Sequence, residues 1–155
     1  MALLIPRGDV VMTLCTHLKA RVPDLMLVKP YLGELDRYSK RTQVKAEAFP
    51  AQVNLTTPFA LVISKDRARV PQTGQSRKFK HDLSLYVGVA NTHDYGSQAM
   101  PPIFPLLDKC LAALDGVVLI RGAGELTVDS DGEYLITTEL FTIYDQRYFQ
   151  YEIGS

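Results

Sequence analysis

Hydrophobic residues along this chain follow two different spacings, and segments of the two kinds take turns. From about Asp9 to Val22, Val10, Leu14 and Leu18 recur at helical intervals, with Val11 and Cys15 widening the stripe. Asp9 is placed to cap the first turn, and Pro23 stops the helix. A second helical stripe, Ile103, Leu107, Leu111 and Leu114, opens after Pro101-Pro102 and closes at Gly116. Between them, Phe59-Ala60-Leu61-Val62-Ile63 predicts a short strand buried on both faces. Asp82 to Ala90 shows the clearest period of two: Leu83, Leu85, Val87 and Val89 alternate with Ser84, Tyr86, Gly88 and Ala90. Its aliphatic side must meet a core. Its other side is small and polar apart from Tyr86.

The weaker segments fill in the order. Pro30 to Tyr38 predicts a short turn or helix, irregular at Gly33. Residues 40–48 read as a connection and 91–100 as a loop. The charged stretch from Lys65 to Lys80, with Pro71 and Gly74, reads as a long hairpin connection or mobile loop. Val117 to Ile120 and Glu125 to Val128 predict short strands around a bend at Gly122-Ala123-Gly124. Asp129-Ser130-Asp131-Gly132 predicts a turn before a final strand from about Tyr134 to Tyr144. The aromatic tail, 146–155, is expected to extend along a neighbouring subunit. Helix, strands, helix, strands is the order of one α+β domain over 1–155. We expect a mixed, mostly antiparallel β-sheet with the two main helices packed on one face.

Composition narrows the class. A chain of 155 residues, 46% of them apolar, suits one domain that builds its own core. It has no apolar run near the roughly 18 residues of a membrane helix, so no membrane partner is expected. The N-terminal stretch lacks the marks of a secretory signal, and synthesis in the cytoplasm is the expectation. Net charge is zero, yet residues 1–107 carry 14 Lys/Arg against 8 Asp/Glu, while 108–155 carry 3 against 9. Such asymmetry either makes surfaces of opposite potential, suited to head-to-tail association, or is dispersed over the fold.

The search for chemistry returns little. His17, His81 and His93 lie at no ligand spacing from one another or from a cysteine, and His17 reads as a packed or surface side chain. Cys15 and Cys110 read as two buried thiols, with a disulfide the other possibility. Asp129, Asp131 and Glu133 with Gly132 resemble the start of a calcium loop but lack its later ligands, so a hairpin turn is preferred. Gly122-Ala123-Gly124 lacks the rest of a phosphate-binding fingerprint. No catalytic residue, metal ligand or cofactor is expected. An enzymatic reading would need a pocket joining His81 or His93 to a carboxylate. The basic residues Lys65, Arg67, Arg69, Arg77, Lys78 and Lys80, against Asp66 alone, suit contact with phosphate or an acidic protein surface, or else a solvated loop. Phe79 is the one aromatic available there for base stacking, which disfavours sequence-specific nucleic-acid binding.

One pattern spans nearly the whole chain. A first helix leads to Pro30-Tyr31-Leu32-Gly33-Glu34-Leu35, then to Phe49-Pro50-Ala51 and Phe59-Ala60-Leu61-Val62-Ile63. The strand at 82–90, a helix opened by proline and a C-terminal hairpin ending in aromatics follow. This order resembles the small tail-completion and tail-terminator proteins of tailed bacteriophages, particularly the Mu-like type. The resemblance implies a structural protein of the virion and no chemistry. Its copies would form a ring, usually of six, on the head-proximal end of the tail tube. Such a ring stops tube polymerisation and meets the head-completion proteins, and double-stranded DNA passes through its lumen without sequence-specific binding. The expected assembly contacts are the basic 65–81 segment (Lys65, Arg67, Arg69, Arg77, Lys78, Lys80) and the aromatic tail (Tyr148, Phe149, Tyr151). Alternative readings are another head–tail connector, a tail-tube component, or a small adaptor contacting nucleic acid through the basic segment.

Overall fold

The computed structural model describes residues 5–34, 56–70, 77–90, 103–137 and 141–154. In chain order these form α1 (Arg7–Arg21), β1 (Leu27–Pro30), β2 (Phe59–Val70), β3 (Arg77–Ala90), α2 (Ile103–Leu114), β4 (Thr127–Thr137) and β5 (Phe141–Gly154). The strands make one five-stranded sheet in the order β1-β2-β3-β5-β4. β1 runs parallel to β2, and the other neighbours are antiparallel. The architecture is α+β, as the element order predicted.

Both helices lie on the same face of the sheet because both apolar stripes meet the aliphatic side of β3. Val10, Leu14 and Leu18 of α1 and Ile103, Leu107 and Leu114 of α2 share one core with Leu83, Leu85, Val87 and Val89. Burial of each such side chain favours the fold by about 1.5–3 kcal/mol. Cys15 and Cys110 sit in this core as free thiols, and burial pushes their pKa values up to about 11 and about 12. A polar tie crosses the same layer. Gln146, fully buried on β5, donates to the carbonyls of Leu107 (3.1 Å) and Asp131 (2.9 Å) and accepts from the Tyr148 hydroxyl at 2.6 Å. Each of its polar atoms is used, so its burial fixes helix to sheet instead of weakening the core.

The opposite face is also apolar over part of its length. Phe59, Leu61, Tyr86, Phe141 and Ile143 form a second cluster, with Tyr31 set edge-on to Tyr86 at 5.2 Å between centroids. Gly88 belongs to this face, and the Phe59 ring occupies the space where a β-carbon at 88 would stand, at 2.2 Å.

Several expectations are corrected. Asp9 lies within the first turn and caps nothing; the N-cap is Pro6, and no side-chain bond closes that end. Residues 27–29, unread in the sequence, form β1 together with Pro30, which ends this strand instead of opening a turn or helix. Val117 to Ile120 is not a strand, and of Glu125 to Val128 only the last two residues belong to β4. Asp129 to Gly132 is no turn: it lies inside β4, whose pairing with β5 absorbs the extra residues in three register shifts. Gly132 takes a φ of 154° there, which a side chain would resist. The expected final strand at 134–144 is instead the end of β4 as far as Thr137 and the start of β5 from Phe141, and the expected tail belongs to β5, an interior strand, as far as Gly154. The expected connection at 40–48 and loop at 91–100 lie outside the described residues, as does most of the Pro30 to Tyr38 segment beyond Glu34.

Candidate functional site

Within the basic segment, residues 65–70 and 77–80 are strand and not loop, and residues 71–76 lie outside the described residues. β2 takes it up to Val70 and β3 from Arg77 onward, with Asp66 to Val70 paired to Asp82 to Lys78 and Arg77 to Lys80 paired to Gly154 to Tyr151 on β5. β1 reaches along β2 only to Val62, and β4 reaches along β5 only to Phe149. Beyond those points β2, β3 and β5 run on as an arm, flanked on the β5 side by Ala123, which bridges to Glu152, and by Gly124, whose N–H donates to the Tyr151 carbonyl at 2.6 Å. The 14 residues of β3 span about 46 Å, against about 22 Å for the 15 residues of α1. A bulge between Ser64 and Asp66 marks where the arm begins on β2.

The arm brings two separate parts of the sequence together. Lys80 pairs in register with Tyr151, and Asp82 with Phe149. The Lys80 ammonium stands 4.8 Å from the centre of the Phe149 ring and 3.7 Å from Asp82, while Phe149 and Tyr151 meet edge to face at 5.7 Å. Lys65, at the bulge, lies exposed with its ammonium 5.4 Å over Tyr86, a contact worth about 0.5–1 kcal/mol at an exposed site. Arg67 turns to the helix-covered face and donates to the Ile5 carbonyl. Arg69 is exposed, and Arg77 and Lys78 are placed in β3 by their backbone pairing. Of the three aromatics expected to make contacts, Tyr148 is withdrawn. It is 1% exposed within the core, its hydroxyl is spent on Gln146, and burial drives its phenol pKa far above the ordinary value. It alternates with Phe149, so the two point to opposite faces.

The other flank carries the opposite charge. β4 is an edge strand, and its sequence holds Asp129, Asp131 and Glu133 with no Lys or Arg. All three acids are exposed, as are Tyr134 and Leu135 beside them. Among the described residues one cation answers them: Arg147 on β5 lies 3.1 Å from both Asp145 and Glu133, and the hydrogen bond to Asp145 raises its pKa. Among the described residues, Asp129 and Asp131 form no ion pair, nor do Lys65 and Arg69. Between the flanks, on the face away from the helices, a hollow of about 410 Å³ is lined by Lys65, Lys80, Asp82, Ser84, Asp129 and Arg147 among others.

The sequence pattern did not disclose a buried hydrogen-bonded pair. His81 and Glu152, both under 4% exposed and 71 positions apart, meet at 2.7 Å. The second Glu152 oxygen accepts from the Ile5 backbone N–H at 2.5 Å, so the carboxylate ties the segment before α1 to the root of the arm. Both glutamate oxygens are thereby engaged, which makes this a structural tether. The alternation of Tyr148, Gln150 and Glu152 carries the signal, but only once that stretch is recognised as a strand. His17 docks α1 on α2 by donating from Nε2 to the Ala113 carbonyl at 2.9 Å. His93 lies outside the described residues.

Among the described residues no group of three or more His, Cys, Asp or Glu converges as a metal site requires, and no helix is long and apolar enough to cross a membrane. Compared with known proteins, the chain matches no family model and no curated sequence.

Proposed function

We propose that the chain is a structural ring subunit of a phage tail, of the tail-terminator type, in which copies close head to tail on the end of the tail tube. The observation that carries this reading is one sheet with two unlike flanks. A basic three-stranded arm continues past β1 and β4 on one side, and an acidic edge strand forms the other. A subunit that meets its neighbour through different patches on its two sides forms a heterologous contact, and a closing rotation then makes a ring. The aromatic and basic residues gathered at Lys80, Phe149 and Tyr151 suit a further contact with the tube or a head-completion protein, since aromatic side chains and arginine are enriched at interfaces.

Class-averaged images and the mass in solution test the reading directly. A ring near six times the 17.3 kDa subunit, seated on one end of isolated tail tubes, is the expected result. A chain that stays monomeric beside its tube contradicts it. A second reading, contact with DNA phosphates, is favoured by the same arm. It predicts affinity for random duplex DNA that falls steeply with salt.

A further inference from the structure

We propose that the acidic flank along β4 is the docking surface for the basic arm of a second copy of this chain. The inference rests on the ring reading and names the surfaces that would close it. β2 and β4 lie on opposite sides of the β3–β5 pair, three interstrand steps or about 14 Å apart. Among the described residues, β4 along its outer side and β2 beyond Val62 carry no further strand, and these two edges look outward in opposite directions, as the two halves of a head-to-tail contact must.

Charge selects the partner. Residues 65–70 and 77–80 hold six Lys/Arg against one acid, and β4 holds three acids against none. The fold cancels these excesses only in part, through Lys80 with Asp82 and Arg147 with Glu133. Arg147 is committed to Asp145 and Glu133, while Asp129, Asp131, Lys65 and Arg69 have no ion-pair partner among the described residues. An acidic surface repels phosphate, so a basic protein element is the ligand whose chemistry fits, and this chain carries one. The contact is made by side chains. Three register shifts along β4 spoil its outer edge as a template for backbone pairing, and acids on an edge strand have the same effect. Tyr134, 56% exposed, adds an apolar anchor within the acidic run and is held edge-on to Tyr144 at 6.2 Å. Opposed potentials on the two flanks also orient approaching copies before they touch.

Two charge-reversed proteins test the pairing: Asp129→Lys with Asp131→Lys on the edge, and Lys65→Glu with Arg69→Glu on the arm. All four positions are exposed, and circular dichroism checks that each protein folds. Each reversed protein alone should sediment as a subunit of 17.3 kDa at concentrations where the native chain forms its multimer. Mixing the two at equal concentration should restore the native mass, because each reversed flank then meets a reversed partner. Reversed proteins that assemble like the native chain would remove the β4 surface and leave the ring standing. The surface is likewise excluded if both fail to assemble and mixing restores nothing. Arm reversal that spares assembly but abolishes binding to random duplex DNA would assign the arm to nucleic acid and overturn the pairing. A native chain that stays monomeric at low salt, with and without tail tubes, removes the ring and the surface together.

Discussion

The same three strands behave differently in the two halves of the sheet. In the body, β2, β3 and β5 are clamped from both faces, by the helices on one side and by the cluster around Phe59, Tyr86 and Phe141 on the other. In the arm the pairing continues where the side chains are Lys, Arg, Asp and Gln, and large aliphatic residues no longer alternate. Strand formation in the body follows from burial. In the arm it is inherited: the register is set in the body, and the backbone ladder carries it outward. One buried pair, His81 with Glu152, then ties the arm's root to Ile5.

That contrast is open to attack at both ends. Tyr148→Ala removes a fully buried ring and strands the Gln146 carbonyl, so it should cost about 3–5 kcal/mol and lower the urea midpoint of the whole chain. Loss confined to the arm would break the comparison. Glu152→Ala leaves His81 and the Ile5 N–H without their acceptor, at about 1–3 kcal/mol. Hydrogen exchange should speed up at Lys80, His81 and Gln150 before it does at Leu85 or Ile143. Uniform acceleration would mean that the arm and the body open as one unit.

Alkaline pH probes the body alone. The thiols of an unfolded chain ionise near 9.0, whereas burial holds Cys15 and Cys110 protonated to about 11 and about 12. The unfolded state therefore releases protons first, and stability present below pH 9 should fall steadily between about pH 9 and pH 12. Replacing both cysteines with alanine should make that part of the curve, measured by denaturant unfolding, less steep, and the loss that remains should begin near pH 10, where the phenol buried at Tyr148 ionises in the unfolded chain. Arg69→Ala, on the exposed outer strand of the arm, should shift stability by no more than about 0.5 kcal/mol. A larger change would show that the arm's basic side chains hold it together.

The division also explains what could be read from the residues. α1, α2 and the 82–90 part of β3 were legible because their apolar side chains meet a core, and a core imposes its period. The arm was not, because Lys65 to Lys80 contains Pro71, Gly74 and many charges, the composition of a loop. Nothing local says that a neighbouring ladder will extend it. Asp129-Ser130-Asp131-Gly132 misled for a related reason. Its residues favour a turn, and the structure spends that preference on bulges within β4, which runs on to Thr137 and pairs there with Thr142 of β5. β1 is four residues long and ends in proline, too short for any period to declare itself. The candidate site was half legible. Its basic residues were named from composition, and so were Phe149 and Tyr151, but Tyr148 sits on the wrong side of an alternation. The acidic flank was visible only as an imbalance between the two ends of the sequence.

The contact between Phe59 and Gly88 reaches beyond this one molecule. The phenyl ring fills the place where any other residue would put its first side-chain carbon, so the two positions share a single volume. Across a lineage they should change as a couple: an alanine or serine opposite this strand ought to arrive together with a slimmer partner at 59, and chains that keep the aromatic should keep the hydrogen.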